Sequence, residues 1–347
     1  MQIELDASEA PLQVAAKPKE MLSWGKLPDG RLAFRINFSS LSMMQQCWRK
    51  VEYSLVRGLR SNLESPATLF GTAIHKALEV YYSGERTDRK LPPRYKDTMD
   101  MIGCGQWEAD WSEHLVLRAA RAFVEKASPL SALPDDNKHS VVTGVWLLRH
   151  YFERYLDDEY SIVRDATGPM TERSVQLRIF EDQALVIDLF GTIDFIMRSE
   201  VTGLILPGDH KTTSSLYDFY DSVAPNHQYT AYLMMTREVL GYETDSFLVN
   251  AIQKKSVPKT ARGSGPDFAR QVTTRSEDDF TELRDAIMLN VMTFAANMQA
   301  KTWPQTAPGP CGSYGGCQFR EVCAAPKSLR EGIITNRYKD VTSGKAQ

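Results

Sequence analysis

Apolar residues recur at helical spacing through residues 66–83 (PATLFGTAIHKALEVYYS), where Leu69, Ala73, Ala77 and Leu78 or Tyr81 make one stripe and Pro66 suits a first turn. The pattern predicts an amphipathic helix. Residues 39–58 read as an earlier helix, with Ser39 or Ser40 as its cap, Gly58 as its stop and Cys47 in its middle. Further helices are predicted near 106–126 and 140–158, and over 226–240 and 277–300. Alternation of apolar and polar positions predicts strands instead at 31–38, at 170–180 and 184–198 as a hairpin, and at 203–211, 244–253 and 268–274. Residues 1–30 lack periodicity and are expected to be a loosely held extension; 254–265, basic and bearing Gly and Pro, are expected to be a loop. The mixture predicts an α/β (α+β) chain, with a polar helical insertion over about 85–165.

Two of these strands end in chemistry. Asp194 follows the alternating run 189–192, and Asp209 ends the apolar run 204–206, so a turn at 199–203 would bring both carboxylates to one end of an antiparallel pair. Lys211, two residues past Asp209, belongs on the same face of an extended strand. Paired carboxylates offer oxygen ligands to a hard divalent cation, and an ammonium beside them can hold a water or offset charge on a phosphate. The pattern points to phosphodiester hydrolysis. His75 lies one turn after Gly71 and off the centre of its apolar stripe; Gly71 leaves room for a second backbone. Gln228 and Tyr232, four residues apart, share a helix face suited to lie along a backbone phosphate.

The 347 residues, 42% apolar and 24% charged, suit a globular chain of one large domain or two. No apolar run is long enough to span a membrane, and the start MQIELDASEAP lacks the basic-then-apolar order of a signal peptide, so a cytoplasmic protein without a membrane partner is expected. With 41 basic against 44 acidic residues, bulk charge does not announce a nucleic acid, and any such surface must be local. Two clusters qualify: Lys254, Lys255, Lys259, Arg262, Arg270 and Arg275 against Asp267, and Arg49, Lys50, Arg57 and Arg60 against Glu52. Trp107 and Trp111, one helical turn apart, fit either base stacking or a core. No internal repeat or GxxxxGK[ST] phosphate loop is present, so no motor is expected.

Cys311, Cys317 and Cys323 fall in one segment, PCGSYGGCQFREVCAAP, and Cys47 makes a better fourth ligand than Cys104 because it lies in a patterned helix. Four thiolates suit either tetrahedral zinc or a 4Fe-4S cluster. The paired CxxC knuckles usual for zinc are missing, which favours iron-sulfur. Such a group would clasp the beginning of the fold to its end and remove freedom from the unfolded chain.

A cysteine in an early helix, GTAIH at 71–75, GTIDF with Asp194, GDHKT with Asp209 and Lys211, QYTAY with Gln228 and Tyr232, and a terminal three-cysteine segment occur in this order. The chain thereby resembles the RecB-like branch of the PD-(D/E)XK nuclease superfamily over about residues 38–323. Within it, the chain is similar to the iron-sulfur exonucleases, which include CRISPR-associated and phage-encoded members and the nuclease domain of AddB. The resemblance implies a restriction-endonuclease-like αβββαβ core over residues 31–325, with the cysteine clasp in 301–325 and a tail at 326–347. It implies Mg²⁺ or Mn²⁺ held by His75, Asp194 and Asp209 with the His210 carbonyl, and Lys211 acting on the attacking water. Gln228 and Tyr232 would position the DNA backbone, and Lys254, Lys255, Lys259 and Arg262 would touch phosphates. Glu172 stands in a strand where relatives often carry an acid, and is expected beside the ligands rather than among them. His210 replaces a more usual apolar or aromatic residue and should face away from Asp209, and the two cysteine gaps are both five where relatives use CxxC followed by CxxxxxC.

The implied function is a metal-dependent exonuclease acting on single-stranded DNA or DNA ends, leaving a 5′-phosphate, in recombination, repair or replication of a phage or bacterium. A nuclease for CRISPR spacer acquisition is the alternative enzyme. A non-catalytic DNA-binding or assembly subunit is the alternative outside enzymes, opposed by the intact set of His75, Asp194, Asp209 and Lys211.

Overall fold

Asn37 opens the first helix: its side chain accepts the Ser40 N–H at 2.8 Å, so the cap lies earlier than Ser39 or Ser40. The computed structural model describes residues 22–62, 65–258, 264–306, 309–312 and 316–341. In chain order, β1 (Leu22–Lys26) and β2 (Leu32–Asn37) lead into α1 (Phe38–Gln46). Four helices follow: α2 (Pro66–Ser83), α3 (Tyr95–Gly103), α4 (Leu115–Lys126) and α5 (Val141–Arg154). Then come β3 (Thr171–Glu181), β4 (Leu185–Ser199), β5 (Ile205–Thr213), α6 (Leu216–Val223), α7 (His227–Glu238), β6 (Ser246–Gln253) and β7 (Phe268–Thr274). The long helix α8 (Glu277–Ala300) and α9 (Lys327–Arg337) end the series.

The chain divides into two compact units, one of Met1–Leu63, Gln176–Gly191 and Glu277–Gln347, the other of Glu64–Val175 and Thr192–Ser276. The second unit carries His75, Asp194, Asp209 and Lys211. From α2 onward the chain runs in the expected αβββαβ order, as α2, β3, β4, β5, α7 and β6. The end of β4 pairs antiparallel with β5, β5 pairs parallel with β6, and β6 antiparallel with β7. Helices α2, α4 and α5 bury Phe70, Tyr81, Phe123, Leu148 and Phe152 against Phe195, Leu206 and Leu248 of these strands. Trp107 and Trp111 pack on that core with ring centroids 5.7 Å apart, which settles their role as packing.

In the first unit β1 and β2 are antiparallel, and β2 runs parallel to the first residues of β4, from Leu32↔Leu185 to Asn37↔Phe190. The strand at 22–26 had been expected to lie in the loose extension. Its partner supplies the hydrogen bonds that its short pattern does not advertise. Phe294 of α8 packs edge-on against Trp24 and Phe34. The helix expected over 39–58 is broken: Cys47 is extended (φ −167°, ψ 118°), and the chain restarts at Trp48–Val51 and continues as a π-helical turn, Glu52–Val56. Residues 327–340, expected to belong to a tail, instead form α9 and a strand, Tyr338–Asp340, paired with Leu59–Ser61. They enclose a small core of Tyr53, Leu59, Phe319, Val322 and Ile334. No described helix is long and apolar enough to cross a membrane.

Candidate active site

Strands β4 and β5 stop pairing at Phe195↔Gly208, while β5 runs on beside β6 as far as Thr213. Gly208 is required at this fork, because a Cβ there would stand 2.1 Å from the Phe195 ring and 2.4 Å from the Leu248 carbonyl oxygen. Just past the fork, Asp194 Oδ2 accepts the main-chain N–H of His210 at 2.8 Å. A carboxylate thus takes the place of the missing ladder acceptor. The same oxygen lies 3.1 Å from His75 Nδ1 on α2. That helix lies close against β5, since a Cβ on Gly71 would be 3.3 Å from Thr212 Oγ1.

Burial opposes charge on His75, but the charge and hydrogen bond of Asp194 outweigh it and hold the imidazole up at about 9. Burial also pushes the Asp194 carboxyl up, and the His75 charge and hydrogen bond, with the His210 N–H, bring it well below the usual carboxylate range. These are two views of one ion pair.

Asp209, 2% exposed, lies on β5 with Lys211, whose Nζ is 2.7 Å from its Oδ2. Apart from this ammonium, no hydrogen-bond donor reaches the buried oxygen among the described residues. Burial and the nearby Asp194 charge push the Asp209 carboxyl up, against the opposing charge of Lys211. Lys211, pulled down by burial and raised further by Asp209, remains an ammonium. Its Nζ donates to Gln228 Oε1 at 3.2 Å, and Gln228 Nε2 donates to the Tyr232 hydroxyl at 3.1 Å. The expected face of α7 is therefore tied to the lysine.

Glu172 is closer to the centre than its sequence position suggested. One carboxylate oxygen of Glu172, one of Asp194 and a nitrogen of His75 all lie within 4.8 Å of one another. Among the described residues this is the one such trio of His, Cys, Asp or Glu. Glu172 adopts φ +49°, rare for a residue with a side chain, inside β3. Burial of the carboxyl, then the Asp194 charge, push it up to about 7, although the residue as a whole is exposed. A left-handed residue in a strand leaves no trace in hydrophobic alternation.

His210 faces away from Asp209, as expected, and its main-chain N–H is given to Asp194. The basic residues are largely turned to structure. Arg270 is bound to Asp158 through two contacts of 2.5 and 2.7 Å, and Arg275 is buried and donates to Thr230 Oγ1 at 2.8 Å. Lys255 bonds Ser264 and the Gly265 carbonyl. Lys259 and Arg262 lie outside the described residues. In the first unit Arg49 donates to the Trp303 carbonyl, Lys50 to Gln46, Arg57 to Glu331 and Arg60 to the Ser54 carbonyl.

Cys47, Cys311, Cys317 and Cys323 also lie in the first unit, and Cys104 in the second. Burial, then the Cys317 and Cys47 charges, raise the Cys323 thiol, which places these three within electrostatic reach of one another. The Cys317 N–H donates to the Cys311 carbonyl at 2.9 Å. Burial pulls the Cys47 thiol upward, yet hydrogen bonds from Thr306 and the Lys50 and Arg49 main chain leave it below its ordinary value.

The imidazole and two carboxylates of His75, Glu172 and Asp194, within 4.8 Å of one another, with the buried Asp209 carboxylate on the neighbouring strand, form a set that fits Mg²⁺ or Mn²⁺. A family profile described as the PD-(D/E)XK nuclease superfamily matches residues 35–324. A search of curated proteins finds no match.

Proposed function

Because the chain belongs to the PD-(D/E)XK nuclease superfamily, we propose that it is a Mg²⁺- or Mn²⁺-dependent deoxyribonuclease that acts on single-stranded DNA or DNA ends as an exonuclease. The observation that carries the reading is the convergence of His75, Glu172 and Asp194 beside the Asp209–Lys211 pair. His75, Asp194, Asp209 and Glu172 would hold the cation. Bound there, it would supply Lewis-acid stabilisation of the phosphoryl oxygens and a more acidic water.

The protein's own groups have distinct tasks. Lys211, an ammonium, donates to the attacking water or to a non-bridging phosphate oxygen and offsets the charge that builds on phosphorus. Gln228, fixed between Lys211 and Tyr232, orients the ammonium that sits 2.7 Å from Asp209 Oδ2 and offers a polar edge to the neighbouring phosphate. Hydrolysis that breaks the bond to the 3′ oxygen leaves a 5′-phosphate. Cys47, Cys311, Cys317 and Cys323 would hold a 4Fe-4S cluster as a clasp of the first unit; the electrostatic reach among Cys47, Cys317 and Cys323 and the Cys317 N–H bond to the Cys311 carbonyl are what favour it. Recombination, repair or replication is the setting proposed.

End-labelled single- and double-stranded DNA, incubated with Mn²⁺ or Mg²⁺, tests the activity and its direction. Wild type is expected to release nucleotides from ends, and Asp209→Ala and Lys211→Ala each to lose on the order of 10²–10³ in rate while remaining folded. Intact DNA after incubation with a folded wild type that binds Mn²⁺ would refute the nuclease reading.

A further inference from the structure

Behind the catalytic strand lies a buried polar cluster that the proposed chemistry does not use. His210 and Asn250 are register partners on β5 and β6, so their side chains project from the same face. Asn250 Nδ2 lies 2.7 Å from His210 Nδ1 and 2.7 Å from the Tyr151 hydroxyl. The Tyr151 and Tyr82 hydroxyls are 2.7 Å apart, and Tyr82 also accepts from Arg270 at 3.0 Å. Arg270 Nε approaches Asn250 Oδ1 at 3.5 Å, and the guanidinium is locked by the Asp158 carboxylate. The Tyr82 ring stacks on the imidazole of His210 with centroids 5.5 Å apart. Asn250 is 1% and His210 4% exposed.

The donor inventory settles the proton positions. Arginine has no acceptor, so the Asn250 amide turns its oxygen toward Arg270 and its nitrogen toward His210. An amide nitrogen only donates, so His210 Nδ1 must accept, and the ring proton sits on Nε2. The buried Asp158–Arg270 pair therefore dictates, through one amide, the tautomer of a side chain between Asp209 and Lys211.

We propose that Asn250 is a positioning residue for the metal site: by holding His210 as the Nε2–H tautomer against Tyr82, it fixes the segment of β5 that gives its N–H to Asp194 and presents Asp209 and Lys211 on the opposite face. The proposal rests on the nuclease reading for its purpose, and its test does not need cleavage. Partners that orient metal ligands from behind typically change affinity by 10–100-fold when removed.

Nitrogen-15 NMR of histidine-labelled, metal-free protein should show His210 protonated on Nε2 with Nδ1 an acceptor. Asn250→Asp places an acceptor opposite Nδ1; the proton is expected to move there, and calorimetry should show Mn²⁺ affinity reduced about tenfold. Tyr151→Phe keeps the ring but frees one amide contact, and should weaken Mn²⁺ in the same direction by less; it serves if Asn250→Asp does not fold. A wild-type ring protonated on Nδ1, or variants that bind Mn²⁺ as tightly as wild type, overturns the proposal. A wild type whose Mn²⁺ affinity depends on Asn250 but which leaves DNA intact overturns the nuclease reading and supports the positioning role.

Discussion

In the metal-free protein His75 carries a proton that a metal ligand must give up. Cation and proton compete for one imidazole. Because the proton holds the site up to about 9, Mn²⁺ affinity should rise about tenfold per pH unit between about 7 and 8.5, with uptake of the ion releasing a proton that calorimetry in two buffers would count. An affinity flat across that range would remove His75 from the ligand set. The same two histidines shape stability without metal. His75 is raised from 6.5 to about 9, so its contribution is complete below 6.5 and fades as pH climbs toward 9. His210 is lowered by burial from 6.5 to about 3, so the unfolded chain takes the proton first and stability falls as pH drops from 6.5 toward 3. Thermal melts in chelator should show His75→Gln losing less stability than wild type between 6.5 and 9, and His210→Gln losing less between 6.5 and 3, where the raised carboxyls of Glu172 and Asp209 act in the opposite sense.

At the scale of elements, the fork between β4 and β5 depends on Gly208 being bare. Gly208→Ala should cost about 1–3 kcal/mol in chemical denaturation, because a side-chain ring could turn away but the Leu248 carbonyl could not. The shift falls next to Asp209, so Mn²⁺ affinity should drop as well; a variant of unchanged stability would show that the strands are looser than their packing. Much of this layer was legible in the sequence. One-sided burial writes its period into α2, and β7 and α8 begin and end where their patterns do. The break at Cys47 was not, since residues on both sides suit a helix and the contact that holds the thiol comes from Thr306, far along the chain. Asp194, Asp209 and Lys211 were legible because strand ends and two-residue spacing are local, whereas the approach of Glu172 depends on one left-handed residue. Arg270 and Arg275 show the opposite failure: charge along the chain says nothing of which side chains turn inward to Asp158 or Thr230.

At the scale of the whole molecule, the first unit is assembled from three separated stretches, which no local pattern could announce. Its proposed cluster is open to a direct check. Cys47→Ser should strip iron and visible absorbance from anaerobically purified protein and lower its melting temperature; retained iron would assign the fourth ligand elsewhere. The interleaving also orders events during synthesis. The second unit ends at Ser276, so its strands and their carboxylates can leave the ribosome and fold while α8, the cysteine segment and α9 are still being made. A nascent chain therefore holds His75, Glu172, Asp194, Asp209 and Lys211 before the first unit can close, and a chain cut short after Ser276 would keep these and Cys47 yet lack Cys311, Cys317 and Cys323.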